Sequence, residues 1–256
     1  MTPELPHTRS NAVQFFVDYA ARNSPALSGK VVVDLSAGSG FIAHCFEQIN
    51  CSVRPFDLFP GNNKYAVATC QPIDLRKQLP IESATADLVI LAETIEHIPD
   101  QLFLFGEVAR ILKPGGTFIL TTPNSSSLRS RFSQFMIEND HYGIAPPNET
   151  TVYVEWERGQ RYLGKLFVSG VLRLRTLAAM SGLKVKAIHP SPWSSTSFFL
   201  LITFPLIYFF AARARRKLVQ ARPADRAVYD EIFHISTSTN TLLGKHLIME
   251  FAVAGN

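Results

Sequence analysis

Two glycines and an aspartate near the start of the chain have the types and spacing of a nucleotide-binding site. Gly38 and Gly40 lie in the turn Ser36-Ala-Gly-Ser-Gly40, directly after the segment Val31-Val-Val-Asp-Leu35. Glycine has no Cβ, so such a turn lets the backbone come close to a ligand. Asp57 follows about 20 residues later, where a carboxylate can accept hydrogen bonds from both hydroxyls of a ribose. Ordinary strand–helix turns also contain glycine pairs, but the acid at this distance favours a nucleoside site.

Strands alternating with helices are needed to hold these residues together. Runs 31–34, 87–92 and 117–121 have the composition of strands buried on both faces, and 51–57 predicts a shorter strand ending in Asp57. Apolar residues at helical spacing predict helices over 11–23, 41–49, 102–112 and 169–180. This alternation predicts an α/β fold with a mostly parallel sheet that binds ligands at the carboxyl ends of its strands.

Composition limits the classes of protein to which the chain can belong. Of its 256 residues, 46% are hydrophobic and 18% charged, which is typical of a globular core and not of a disordered chain. The net charge of +4 is too small to predict nucleic-acid binding. The three cysteines favour a reducing compartment and show no metal-ligand spacing, so no metal site is expected. Residues 1–7 lack the basic-then-apolar pattern of a cleaved secretion signal.

From about residue 28 to 125 the chain resembles the class I S-adenosylmethionine-dependent methyltransferases, close to the type 11 and type 12 groups. The motifs that carry the resemblance are, in order, Asp34-Leu-Ser-Ala-Gly-Ser-Gly40, the acid Asp57, Asp74-Leu75, the segment 87–100 with its Glu96-His97 pair, and Leu112-Lys-Pro-Gly-Gly116. One position departs from the family pattern, because Ser36 stands where the family usually has a glycine. The departure is compatible with an ordinary turn, but it leaves open a weak or inactive cofactor site.

The resemblance implies a Rossmann-like, seven-stranded, mostly parallel sheet with helices on both faces. Strand seven would be antiparallel, with an insertion between strands six and seven, and residues 1–256 would form a single domain. The implied cofactor is S-adenosylmethionine, bound by Asp34, Ser36, Ala37, Gly38, Gly40, Asp57, Leu58, Asp74, Leu75 and Glu93. In the family Asp57 would bind the ribose and Asp74 would contact the adenine.

A nicotinamide-dependent oxidoreductase is the alternative within the same architecture, because a glycine turn and a ribose acid serve both cofactors. The Glu96-His97 segment and the Lys113-Pro-Gly-Gly116 turn favour the methyl donor. The sequence contains no match to a Tyr-x-x-x-Lys hydride-transfer pair.

Methyl transfer to an oxygen requires removal of a proton, and an imidazole with a pKa near neutrality suits that task. His97, after the fourth strand, and His141, after the fifth, are the two candidates. The alternative for His97 is a local packing role, and for His141 exposure on a loop. Glu93 is expected at the methionine end of the cofactor, and Asn124 either lines the same place or caps the next helix.

The second half of the chain contains two expected insertions. Residues 125–165 predict a lid or acceptor-binding segment, or else a surface excursion without a ligand role. Residues 191–240 include the apolar run 197–212, which the basic cluster Arg213-Ala-Arg-Arg-Lys217 follows. The run is shorter than the roughly 20 residues of a membrane span and contains Pro205. One interpretation is a buried core helix. The favoured prediction is that residues 197–217 lie at a membrane surface, with the basic cluster on anionic lipid.

These observations predict an O-methyltransferase that acts on a sugar hydroxyl of a lipid-linked or surface glycan. We expect it at the inner face of the cytoplasmic membrane. A phenol of a quinone precursor is the alternative acceptor, because it also partitions into membranes. The third reading is a membrane-docked binding protein that keeps the fold without turnover.

Overall fold

A seven-stranded sheet forms the centre of the computed structural model, which describes residues 11–140, 148, 153–156 and 160–254. The strands are β1 Val31–Asp34, β2 Ser52–Asp57, β3 Gln71–Pro72, β4 Ala86–Ala92, β5 Leu112–Pro123, β6 Tyr153–Trp156, β7 Gln160–Leu163, β8 Leu183–His189 and β9 His246–Val253. The main sheet has the order β3-β2-β1-β4-β5-β9-β8, and β6 pairs with β7 separately. Strand β9, the seventh of the main sheet, is antiparallel to both of its neighbours. The predicted fold class is confirmed.

Helices flank the sheet and fill the connection between its last two strands in the chain. They are α1 Asn11–Leu27, α2 Phe41–Glu47, α3 Gln101–Ile111, α4 Leu128–Ile137, α5 Val171–Met180, α6 Ser195–Phe199, α7 Phe204–Ala221, α8 Arg226–Thr237 and α9 Thr239–Leu243. Helices α6 to α9 all lie between β8 and β9, the sixth and seventh strands of the main sheet. The predicted insertion at this place is therefore present.

Both faces of the central strands are buried, and this explains their continuous apolar runs. In β1, Val33 belongs to the core on the side of α3 and α5, whereas Val32 belongs to the core on the side of α1 and α2. Residues Leu88 to Leu91 of β4 alternate between the same two cores. The strands that carry the predicted site are thus fixed from both sides.

Two predicted boundaries are wrong. Helix α1 runs to Leu27 and contains Pro25, although the sequence predicted that the helix spans only 11–23. Proline removes only its own N–H group, and the Ser28 N–H still donates to the Ser24 carbonyl at 3.0 Å. Strand β5 begins at Leu112, so Lys113-Pro-Gly-Gly116 lies inside a strand, where the register jumps between the pairs Ala86–Leu112 and Leu88–Thr117.

Candidate active site

The glycine turn after β1 and the end of β2 are joined by one carboxylate. The Gly38 N–H donates to Oδ2 of Asp57 at 2.8 Å, and the Phe59 N–H donates to Oδ1 at 2.7 Å. Gly38 has a φ of +51°, and a Cβ added there would meet no atom within 4 Å. The open space next to the Gly38 backbone is what a closely approaching ligand requires.

Gly40 is required for a different reason. It has a φ of +80° at the start of α2, and a Cβ there would lie 2.3 Å from Oδ1 of Asn63. The close approach at this position is therefore to the loop of the protein itself. Gly38 leaves room for a ligand, whereas Gly40 leaves room for residue 63.

A cavity of about 260 Å³ opens at the carboxyl ends of β1, β2 and β4. Its lining residues are Leu35, Gly38, Asp57, Leu58, Phe59, Asn62, Ile73, Asp74, Leu75, Arg76, Glu93, Thr94, His97 and Ile98. Seven of these were predicted as site residues, namely Gly38, Asp57, Leu58, Asp74, Leu75, Glu93 and His97. Predicted site residues from four separate segments, at the ends of β1, β2, β3 and β4, thus meet in one cavity.

Four predicted cofactor residues, Asp34, Ser36, Ala37 and Gly40, are not among those that line the cavity. Ala37 and Gly40 shape the turn, since the Gly40 N–H donates to the Ala37 carbonyl at 2.7 Å. The Ser36 hydroxyl accepts from the Ala92 N–H at 3.1 Å and lies 3.3 Å from the Ala92 carbonyl. Ser36 is not one of the described residues with positive φ. The serine therefore needs no glycine-like backbone, and it ties the turn to β4.

Asp34 is fully buried at the end of β1. Its Oδ1 accepts from the Ser36 N–H at 3.3 Å, while its Oδ2 has no hydrogen-bond partner. Burial, with a further contribution from the charge of Asp57, raises the pKa of Asp34 to about 7. The carboxyl supports the turn from below.

Asp74 lines the cavity, but its carboxylate is paired with Arg76, a residue that the sequence did not predict at the site. Arg76 donates through Nε to Oδ1 of Asp74 at 2.8 Å and through a terminal nitrogen to Oδ2 at 3.0 Å. These hydrogen bonds lower the pKa of Asp74 to about 2. The apolar side chains Leu35, Ile73, Leu75 and Ile98 line the cavity together with this ion pair. The Asp-x-Arg spacing in a loop was the signal available in the sequence.

Glu93 lies at the end of β4 in a strained conformation, with a φ of +48°. Its N–H donates to the Thr121 carbonyl at 2.9 Å, which fixes the residue against β5. Its Oε2 lies 3.7 Å from both Lys165 Nζ and His246 Nε2, while the buried Oε1 has no hydrogen-bond partner. Burial first, and then the nearby charge of Glu96, raise the pKa of Glu93 to about 7.

A polar cluster continues behind Glu93. Glu96 is fully buried, its Oε2 accepts from the Thr122 hydroxyl at 2.9 Å, and its Oε1 lies 3.2 Å from Lys165 Nζ. Burial, followed by the charge of Lys165, lowers the pKa of His246. Neither Lys165 nor His246 was predicted, because they lie far from Glu93 in the sequence. The position of His246 at the start of the last strand was the signal available in the sequence.

The remaining predictions have mixed outcomes. His97 lies on the turn 95–97 and lines the cavity. His141 lies outside the described residues, as do 142–147, 149–152 and 157–159 of the segment 125–165. Asn124 neither lines the cavity nor caps α4, whose cap is Ser127. Its amide donates to the carbonyls of Thr241 and Gly244 at 2.8 and 2.9 Å, joining the end of β5 to the segment that precedes β9.

Comparison with known proteins gives a family match over most of the chain. Residues 7–185 match a family model described as a methyltransferase domain. A protein of Xanthomonas campestris pv. campestris strain B100, named ubiquinone biosynthesis O-methyltransferase, is 33% identical over 132 residues, which cover 48% of this chain and 54% of that protein. A protein of the same name from Aliivibrio fischeri strain MJ11 is 28% identical over 119 residues, which cover 42% of this chain and 50% of that protein. The chain thus matches about half the length of these curated relatives.

Solved structures show the same fold at low sequence identity. An S-adenosylmethionine-dependent methyltransferase from Mesorhizobium loti has a TM-score of 0.53 at 15% identity, covering 94% of this chain and 99% of that chain. One from Archaeoglobus fulgidus has a TM-score of 0.52 at 12% identity, covering 94% of each chain.

Proposed function

The chain belongs to the methyltransferase domain family, and from this premise we propose that it transfers a methyl group from S-adenosylmethionine to an oxygen of its acceptor. The observation that carries this proposal is the single cavity that brings Gly38, Asp57 and Glu93 together. Each of the three offers what one part of the cofactor needs.

The described residues fit S-adenosylmethionine from end to end. Both oxygens of Asp57 are fixed by backbone N–H groups, so its carboxylate is held still to accept hydrogen bonds from ribose hydroxyls. The apolar wall formed by Leu35, Ile73, Leu75 and Ile98 suits a flat adenine ring. The unpartnered Oε1 of Glu93 suits the ammonium group of the methionine part. When bound, the cofactor supplies a methyl carbon on a sulfonium, which a nucleophile can displace.

The protein's own part in the reaction is positioning and removal of a proton. Holding the acceptor in line with the methyl carbon supplies much of the rate. His97 lines the same cavity as Glu93, which supports its imidazole as the group that takes the proton of the acceptor hydroxyl. We assign His97 this role and give Glu93 the binding role.

The acceptor is a hydroxyl on a molecule that carries an apolar portion. The names of the relatives from Xanthomonas campestris and Aliivibrio fischeri favour a phenol of a quinone precursor over the lipid-linked glycan expected from the sequence. The glycan is retained as the second candidate, because the long exposed apolar insertion suits any lipid-borne acceptor.

The decisive experiment measures binding first and transfer second. Calorimetry with S-adenosylmethionine and with its demethylated product should show saturable binding of both to the folded chain. Transfer of a labelled methyl group onto extracted lipids and polysaccharides should then label a phenolic lipid; label in a glycan fraction would select the second acceptor. A folded chain that binds neither nucleoside would overturn the enzyme and leave a binding protein with the same fold.

The His97→Asn variant tests the proposed proton acceptor. We expect kcat to fall by about 10²–10⁴-fold, while the affinity for the demethylated product is kept. A variant with unchanged kcat at every pH would remove His97 from the reaction without affecting the binding proposal.

A further inference from the structure

Two helical segments expose an unusual number of large apolar side chains. On α4 they are Phe132, Phe135, Met136 and Ile137, and on the segment 195–221 they are Phe198, Phe199, Ile202, Leu206, Phe209 and Phe210. Phe135 and Ile202 are each 85% exposed, and Phe199 is 77% exposed. We call these ten residues the apolar face. Exposed apolar groups on this scale mark an interaction site.

The two segments pack against each other. The Arg129 N–H at the start of α4 donates to the Ser197 hydroxyl in α6 at 3.1 Å. Below the surface, Leu128 of α4 packs in one cluster with Leu200, Leu201 and Phe204. The apolar face therefore spans two segments that pack against each other at the start of α4.

The segment 195–221 is bound along the domain by its inner side. By length and composition alone, this 27-residue helical stretch could cross a membrane. Its inner side, however, packs Ile207 in the same cluster as Leu242 and Leu243 of α9. The Tyr208 ring lies 5.2 Å from the Phe233 ring of α8, and Arg215 Nε lies 2.6 Å from Oδ1 of Asp230. These contacts hold one side of the segment and leave the apolar residues of its other side exposed to a partner.

Charge identifies the partner. Helix α4 and the segment 195–221 contain Arg129, Arg131, Arg213, Arg215, Arg216 and Lys217, and neither contains an Asp or Glu. Arg213, Arg216 and Lys217 are exposed directly after the last apolar residues. Apolar side chains beside a basic cluster match the acyl boundary and the anionic headgroups of a bilayer. A second copy of the chain would bring the same positive charges against each other, which disfavours a symmetric dimer through this face.

We propose that the apolar face docks this protein onto an anionic lipid bilayer, lying in the interface without crossing it. Helix α4 follows the carboxyl end of β5, and Trp193, just before α6, pairs with Gly244 just before β9. Both segments thus leave from the sheet edge at which the cavity opens. Docking brings that edge to the membrane, and the docking itself does not depend on the proposed reaction.

Flotation with lipid vesicles tests the proposal on the full chain. Wild type should float with vesicles of phosphatidylcholine and phosphatidylglycerol, and less with phosphatidylcholine alone. The double variant F135S/I202S should partition at least about tenfold less, because two large apolar groups no longer enter the interface. The R216E/K217E variant should lose the preference for the anionic lipid, and added salt should weaken wild-type binding.

The matched control is V67S/M180S, since Val67 and Met180 are 81% and 66% exposed but lie outside the apolar face. It should float like wild type. Unfolding midpoints and binding of the demethylated cofactor show that each variant is folded, so a failure of docking is distinct from a failure of the reaction. Equal flotation of wild type and F135S/I202S would overturn the proposal. So would a wild-type dimer, seen by light scattering, that F135S/I202S abolishes.

Discussion

At the residue scale, the buried carboxyl of Asp34 makes stability depend on pH. Its pKa is about 7 in the folded chain against an ordinary value of 3.8. Between these two values the folded chain binds a proton that the unfolded chain has released. The free energy of unfolding therefore falls as the pH rises through this window. The pKa of Glu93, also raised to about 7, contributes in the same direction.

The Asp34→Asn variant should remove Asp34's share of this dependence. Asparagine keeps the oxygen that accepts from the Ser36 N–H and cannot ionise. We expect the variant to be more stable than wild type at pH 8, by on the order of 4 kcal/mol, and to show little gain near pH 4. Urea unfolding over this pH range measures it. If the free energy of unfolding depended on pH in the same way for wild type and variant, the pKa of Asp34 would not be raised by folding.

The Asp57→Asn variant should weaken nucleoside binding. An amide offers one acceptor oxygen, so either the Gly38 or the Phe59 N–H faces an NH₂ group. We expect the affinity for the demethylated cofactor to fall about 10- to 100-fold, with a stability loss of about 1 kcal/mol. Calorimetry and urea unfolding separate the two effects. Asp225→Asn, at an exposed position, is the control and should bind normally.

At the element scale, the two glycines of the turn have separable roles. Gly40→Ala places a Cβ against Asn63 and forces a left-handed backbone on alanine, so we expect a stability loss of about 2–4 kcal/mol. Gly38→Ala meets open space, so its stability loss should be nearer 1 kcal/mol, from the left-handed backbone alone. Its larger effect should be on nucleoside binding. Urea unfolding measures the loss of stability in each variant, and calorimetry measures the loss of affinity for the demethylated cofactor. The assignment would be contradicted if the ratio of the stability loss to the affinity loss were the same in Gly38→Ala and Gly40→Ala.

The bounds of strands and helices were predicted best where all residues of a segment are buried in the same sheet. Strand β4 covers the predicted 87–92, beginning one residue earlier, because its residues pack into the two cores on either face of the sheet. The boundaries failed at proline. Pro25 is accommodated inside α1, and Pro114 lies within β5, where the sheet register absorbs extra residues. Local breaking signals are overridden when neighbouring hydrogen bonds can close around them.

The candidate site was predictable only where it follows from local spacing. That Gly38 and Asp57 serve one nucleoside site was anticipated from their spacing, because Gly38 follows β1 and Asp57 ends the adjacent parallel strand β2; the direct hydrogen bond between them was not. The contacts of Glu93 with Lys165 and His246 were not, since they require the fold to bring residues 72 and 153 positions apart to within 3.7 Å. The spacing of residues within one segment carries no information about contacts between segments so far apart in the sequence.

At the scale of the whole molecule, the site and the core share their strands. Strands β1 and β4 supply cavity-lining residues at their ends and residues of both cores along their length. The site therefore cannot open without loss of the packing on both faces of the sheet. Ligand binding should consequently stabilise the entire domain and not one local segment.

The demethylated cofactor should therefore raise the global unfolding midpoint in a concentration-dependent way. At a ligand concentration about 100 times Kd, the expected gain in the free energy of unfolding is about 2.7 kcal/mol. Adenosine, which lacks the methionine part and cannot reach Glu93, should give a smaller gain at the same concentration. Unfolding followed by both tryptophan fluorescence and far-ultraviolet circular dichroism measures it. If calorimetry detects binding while either probe shows no shift, the cavity belongs to a part that unfolds separately, and the two cores are not one cooperative unit.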